Sequence, residues 1–169
     1  MTVQENYLSP EKLARGLQGK AVYLDKNAVD TIIIHWTGPY PKQNPATVRN
    51  WFENGVDGKG VQASVHFIIK NDEVVQTLPL NEVGWHSGDK RNYSSIGIEV
   101  IAQDESGVFS ASLIASLKEV IALIRTTYPD TNVVRHFDGV QKKDCPRYYT
   151  PLGAGGEEAW ETLKILIGA

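Results

Sequence analysis

The sequence predicts an α/β fold: a mixed central β-sheet of about five to six strands with helices packed on its faces, in a single domain. Short runs rich in β-branched residues alternate along the chain with segments of helical periodicity. Several of those runs are apolar almost without a break, as strands buried on both faces are. In the middle of the chain two of them flank a short polar turn, which reads as a hairpin and makes the sheet mixed rather than all-parallel.

Residues 1–30 read as an N-terminal lead-in that belongs to the same domain as residues 31–169. Within it, Ser9-Pro10-Glu11 looks like a helix start. Ser9 would be the N-cap and Pro10 the first helical residue, where a missing N–H costs nothing. Thr31–Trp36 (TIIIHW) is a strand, ended by Thr37-Gly38-Pro39. Asn44 and Pro45 open a helix that carries Val48, Trp51 and Phe52 and stops at Gly55. Ser64 to Lys70 and Val74 to Leu78, around Asn71-Asp72-Glu73, form the hairpin, and Ser95 to Ala102 is a further strand. Leu113, Ile114, Leu117, Val120, Ile121 and Ile124 recur at helical spacing, an amphipathic helix that ends before Pro129. Val133 to His136 is the last short strand, and residues 157–167 form a closing helix.

The composition is that of an ordinary globular domain, with 41% hydrophobic and 22% charged residues in 169. A chain of this size buries about 70% of its unfolded surface, enough for a core without staples. Cys145 is the sole cysteine, so no intrachain disulfide exists. The formal charge of −3 gives no electrostatic reason to bind nucleic acid or anionic lipid. No apolar run approaches the ~20 residues of a membrane span. The first sixteen residues lack the apolar core of a secretory signal, so synthesis in the cytoplasm is expected.

Four histidines and one cysteine are few enough to weigh singly. His35 and His136 each close a predicted strand, and Cys145 lies in a loop shortly after His136. Two imidazoles and a thiolate delivered from element ends make a three-ligand site of the kind zinc uses when one position stays open. The soft sulfur favours zinc over magnesium or calcium. The alternative for the same residues is plain: a histidine hydrogen-bonded in the core and a cysteine acting as a small buried hydrophobe.

Five segments then occur in order: TIIIHWTG (31–38), SVHFIIK (64–70), GWHSG (84–88), SIGIE (95–99) and HFDGVQKKDCP (136–146). Together they resemble the type-2 N-acetylmuramoyl-L-alanine amidases, the group of phage endolysins, autolysins and peptidoglycan recognition proteins. The resemblance covers roughly residues 30–150 and implies one zinc ion held by His35, His136 and Cys145. It matches Glu99 to the acidic residue that activates the attacking water, and Lys143 to the lysine that steadies the developing oxyanion, with Lys142 beside it competing for that place. Some branches carry a tyrosine just before the second motif's H-F; here that place is Val65, which puts more of the base role on Glu99. His66 matches the histidine of that motif, as a support behind the site or a substrate contact. Trp85 and His86 shape the cleft, and Trp36 and Trp85 either pack in the core or touch sugar or peptide.

The implied activity is hydrolysis of the amide between N-acetylmuramic acid and the L-alanine of the stem peptide. Residues 31–169 would then be a zinc amidase catalytic domain and the partner bacterial peptidoglycan. The resemblance also implies release to the cell wall, a bacteriolytic and so antimicrobial action, and a separate C-terminal wall-binding domain outside this chain. Two alternatives stand beside it: a recognition module that binds peptidoglycan without cutting it, and a thiol peptidase with Cys145 as nucleophile and His136 or His86 as base.

Overall fold

The computed structural model describes residues 2–17, 20–40, 42–140 and 143–169. In chain order its elements are β1 (Val3–Glu5), β2 (Gly16–Leu17), β3 (Lys20–Ala21), β4 (Thr31–Trp36), α1 (Pro45–Asn54), β5 (Phe67–Lys70), β6 (Glu73–Gln76), β7 (Ser95–Val100), α2 (Ala111–Arg125), β8 (Asn132–Arg135), α3 (His136–Gly139) and α4 (Gly156–Ile167). Six strands form one mixed sheet in the order β1-β6-β5-β7-β4-β8, and β2 and β3 form a small antiparallel pair. Only the β5–β6 hairpin is antiparallel within the large sheet. No helix among the described residues is long and apolar enough to cross a membrane.

Strand β4 sits between two parallel neighbours, and Ile32, Ile33 and Ile34 are fully buried, as a β-branched run covered on both faces requires. Each such side chain contributes roughly 1.5–3 kcal/mol of burial free energy. Alternate residues face opposite ways along a strand. Ile32 and Ile34, with Ile96, Ile98, Phe67 and Ile69, join Leu113, Leu117 and Ile121 of α2 and Trp160 and Leu163 of α4 in the larger core. On the other face Ile68 packs with Val48 and Phe52 of α1 and with Leu8 and Ala14 of the N-terminal segment. His35, Gly97 and Glu99 take the parity of this second face.

Local signals explain the helix boundaries. Asn44 Oδ1 accepts from the Thr47 N–H while Thr47 Oγ1 accepts from the Asn44 N–H, a reciprocal cap ahead of Pro45. Gly55, at φ +58°, closes α1. One expectation fails: Ser9 does not cap a helix. Residues 10–12 make a turn and only a single 3-10 turn follows at Leu13–Arg15. The Ser9 N–H and hydroxyl are both drawn to the Glu53 carboxylate of α1, so a contact 44 residues away overrides the local signal. The segment stays attached elsewhere too, with β1 paired to β6 and Arg15 bonded to Glu82 and Leu8.

The topology puts the ends of three parallel strands side by side. The β4–β7 register sets His35 opposite Glu99, and the β4–β8 register sets Ile34 opposite Arg135. The residue after Arg135, His136, therefore comes alongside His35. It opens α3 rather than closing the strand.

Candidate active site

The sequence after β8 folds back on itself to bring its cysteine home. Lys143 N–H donates to Val140 O, Cys145 N–H to Lys143 O, and Phe137 N–H to Cys145 O, at 2.7, 2.7 and 2.9 Å. Arg135 anchors the base of this loop: it is buried, pairs with Asp138 and Glu157, and donates to the Tyr149 carbonyl. The Cys145 sulfur accepts the Trp36 N–H at 3.2 Å.

Three donor atoms then converge. One nitrogen each of His35 and His136 and the Cys145 sulfur lie within 4.8 Å of one another, a cluster that could hold a metal ion. His35 Nδ1 is 3.0 Å from His136 Nδ1. His136 Nε2 faces the Ser87 carbonyl at 3.2 Å; a carbonyl only accepts, so Nε2 carries the hydrogen and Nδ1 presents a lone pair to its neighbour. Two ring nitrogens this close, with a thiol beside them, suit a shared cation. Burial, with His86 and His136 adding, holds the His35 imidazole well below its ordinary pKa, and burial lowers that of His136. Both are neutral near pH 7, the form a metal requires.

The remaining candidates divide by position. A cleft of about 650 Å³ opens over the cluster, lined among others by Trp36, Val65, Trp85, His86, Glu99 and Lys143. Glu99 sits on its floor, and no hydrogen bond reaches its carboxylate from the described residues; burial pushes it up to about 8. Lys143 is exposed at the rim, while its neighbour Lys142 lies outside the described residues. His66 is not on the cleft wall. It is fully buried, with Nε2 donating to Glu82 O at 2.8 Å and Nδ1 accepting from Gly97 N–H at 3.1 Å. His86 touches both groups: its Nδ1 is 2.9 Å from His35 Nε2, and it lines the cleft.

Sequence reasoning missed the wall that α1 supplies. Val48, Trp51 and Phe52 of α1, with Tyr40 and Gln43 from the segment before it, line the cleft, and Trp51 is half-exposed. Read from periodicity, Trp51 belonged to the core stripe of α1; it sits at the edge of that stripe, a distinction a helical wheel does not make. The indole nitrogens of Trp36 and Trp85, Thr37 Oγ1 and Gln43 Oε1 are buried and lack partners among the described residues. All four residues are on or beside this cleft.

Residues 25–148, which include every one of the convergent groups, match the N-acetylmuramoyl-L-alanine amidase family. The chain belongs to that family. Among its relatives, the N-acetylmuramoyl-L-alanine amidase XlyA of Bacillus subtilis (strain 168) is 30% identical over 131 residues, covering 75% of this chain and 36% of that protein. XlyB of the same organism is 29% identical over 115 residues, 65% of this chain and 35% of XlyB. The chain thus spans about a third of the length of these curated relatives. The solved catalytic domain of XlyA overlays it with a TM-score of 0.76 at 26% identity, over 99% of this chain and 100% of that one. A mutant endolysin from Bacillus subtilis does so with 0.75 at 26%, over 99% of each. The six-stranded mixed sheet is therefore the amidase fold of these endolysin domains.

The thiol of Cys145 is pushed up to about 12, by burial first and then by Glu99. No imidazole hydrogen-bonds its sulfur among the described residues. An amidase-family cation would turn this thiol into a ligand, whereas a thiol peptidase needs a base in contact with it.

Proposed function

We propose that this chain is a zinc-dependent N-acetylmuramoyl-L-alanine amidase of the endolysin type, which hydrolyses the amide between N-acetylmuramic acid and L-alanine in bacterial peptidoglycan. The observation that carries the proposal is the convergence of His35, His136 and Cys145 under an aromatic-walled cleft. A borderline-soft N₂S donor set favours zinc over magnesium or calcium, and the family membership favours the amide substrate. When bound, the ion supplies a Lewis acid for the scissile carbonyl and a lowered pKa for water.

The chain's own groups do the rest. Glu99, opposite His35 in the sheet and held ionised by a cation beside it, accepts the proton of the attacking water and returns it to the leaving amine. Lys143 at the rim offsets the charge that grows on the carbonyl oxygen. Trp36, Trp85 and Gln43 line the cleft and present the surface that a sugar–peptide junction would meet. Residues 1–30 act as part of the same catalytic unit, tied to α1 through Ser9 and Glu53. The likeness to an endolysin supports action at the cell wall after release, and the greater length of the curated relatives supports a separate wall-binding domain outside this chain.

The test uses purified cell walls. Release of new L-alanine amino termini is expected, lost on exhaustive chelation and restored by zinc. Release that survives chelation contradicts the metal assignment. Wall binding without any release would make the chain a recognition module.

A further inference from the structure

His86 stands outside the donor cluster yet touches it, and the direction of its hydrogen bonds can be deduced from the far end. The Ser95 hydroxyl donates to the Arg91 carbonyl at 2.6 Å, since a carbonyl only accepts. Ser95 Oγ therefore turns a lone pair toward His86 Nε2, 3.4 Å away, and that nitrogen carries the hydrogen. His86 Nδ1 is then the acceptor, and the 2.9 Å contact with His35 must be donation from His35 Nε2. His35 Nδ1 is left as a lone pair aimed at His136.

The seat of the imidazole is built for this. His86 lies flat against Gly97, where any Cβ would come within 2.6 Å of its ring atoms. A Cβ on Gly84 would come within 3.0 Å of the same ring. Asn92 Oδ1 accepts the N–H groups of both His86 and Ser87, at 3.0 and 2.8 Å. The same two residues thus hold both metal-side imidazoles: His86 takes His35 through its ring, and Ser87 takes His136 through its carbonyl.

We infer that His86 is a positioning residue: as acceptor for the His35 Nε2–H it fixes which nitrogen of His35 is free and where it points, while Ser87 does the same for His136. No proton is gained or lost. This rests on His35 being a metal ligand. Outer partners of ligating histidines typically contribute 10–100-fold in metal affinity.

The test is zinc affinity of the folded, metal-stripped protein, by competition with a chromophoric chelator. His86→Phe keeps a ring on the Gly97 seat but removes the acceptor, and zinc binding is expected to weaken about 10–100-fold. His86→Asn places an amide oxygen near the site of Nδ1 and is expected to recover most of that loss, with the cobalt-substituted absorption bands changing and returning in step. Equal losses in both variants, or wild-type affinity in His86→Phe, would overturn the inference. His35→Ala separates it from the parent reading: wild-type zinc affinity there removes the ligand assignment itself. If His86→Phe does not fold, the zinc-loaded, ¹⁵N-labelled wild type decides. A hydrogen on His86 Nε2 and a coupling from His35 Nε2–H to His86 Nδ1 are expected, and a hydrogen on His86 Nδ1 refutes the assignment.

Discussion

Replacing Glu99 with glutamine should move turnover and stability in opposite directions. The side chain lines the cleft opposite His35, and its carboxylate receives no hydrogen bond from the described residues. Burial lifts its pKa from 4.5 to about 8 in the protein without an ion. An unfolded carboxyl releases its proton near 4.5 while the folded one keeps it, so the unfolded state binds fewer protons over that interval and stability falls as pH rises. At 1.36 kcal/mol per pH unit, the interval from 4.5 to 7 gives about 3 kcal/mol. Glutamine cannot ionise and avoids this cost. In chelator, Glu99→Gln should be more stable than wild type by about 3 kcal/mol at pH 7 and by little at pH 4. With zinc restored, its metal content should match wild type while turnover on cell walls falls about 10²–10⁴-fold, the range for a lost general base. Urea melts across pH and an amino-terminus assay read the two halves. Near-normal turnover removes Glu99 from the chemistry, and a pH-independent stability difference refutes the buried-carboxyl argument.

Lys143→Met should lower kcat about 10²–10³-fold, as for one lost oxyanion donor, with zinc content unchanged; a change confined to KM would show that the ammonium only binds. His66, fully buried, has its pKa lowered by burial from 6.5 to about 4. A folded pKa depressed in a histidine means that stability is lost as pH falls, here from 6.5 to 4, by about 3 kcal/mol. Compared in chelator so that metal loss does not contribute, His66→Gln should show a shallower acid slope than wild type, because an amide can still donate to Glu82 O and accept from Gly97 N–H. Identical slopes would mean that His66 titrates normally.

Much of this was readable in the sequence where local pattern and tertiary need agree. TIIIHW reads as a strand covered on both faces because Ile32, Ile33 and Ile34 follow one another without a polar break, and Asn44-Pro45 carries its own cap. The donors were legible for a different reason: two histidines at element ends and a lone cysteine in a loop leave few other sulfur–imidazole combinations, and the five ordered motifs matched them. Ser9-Pro10 misled because its best partner, Glu53, lies on another element, which no local rule sees. The separate fates of His66 and His86 were also out of reach. Both sit in short motifs with apolar neighbours, and only the glycines at 84 and 97, which leave room for imidazole rings, hint that those rings sit behind His35. The α1 wall of the cleft was hidden for a related reason: burial and ligand contact make the same demand on an aromatic residue.

The assignment of the ligands is tested most directly by X-ray absorption at the zinc edge of the reconstituted protein. The account predicts one sulfur at about 2.3 Å and two imidazole nitrogens at about 2.0–2.1 Å, with a light-atom fourth ligand. A shell without sulfur, or zinc that does not bind in one-to-one ratio, would contradict it.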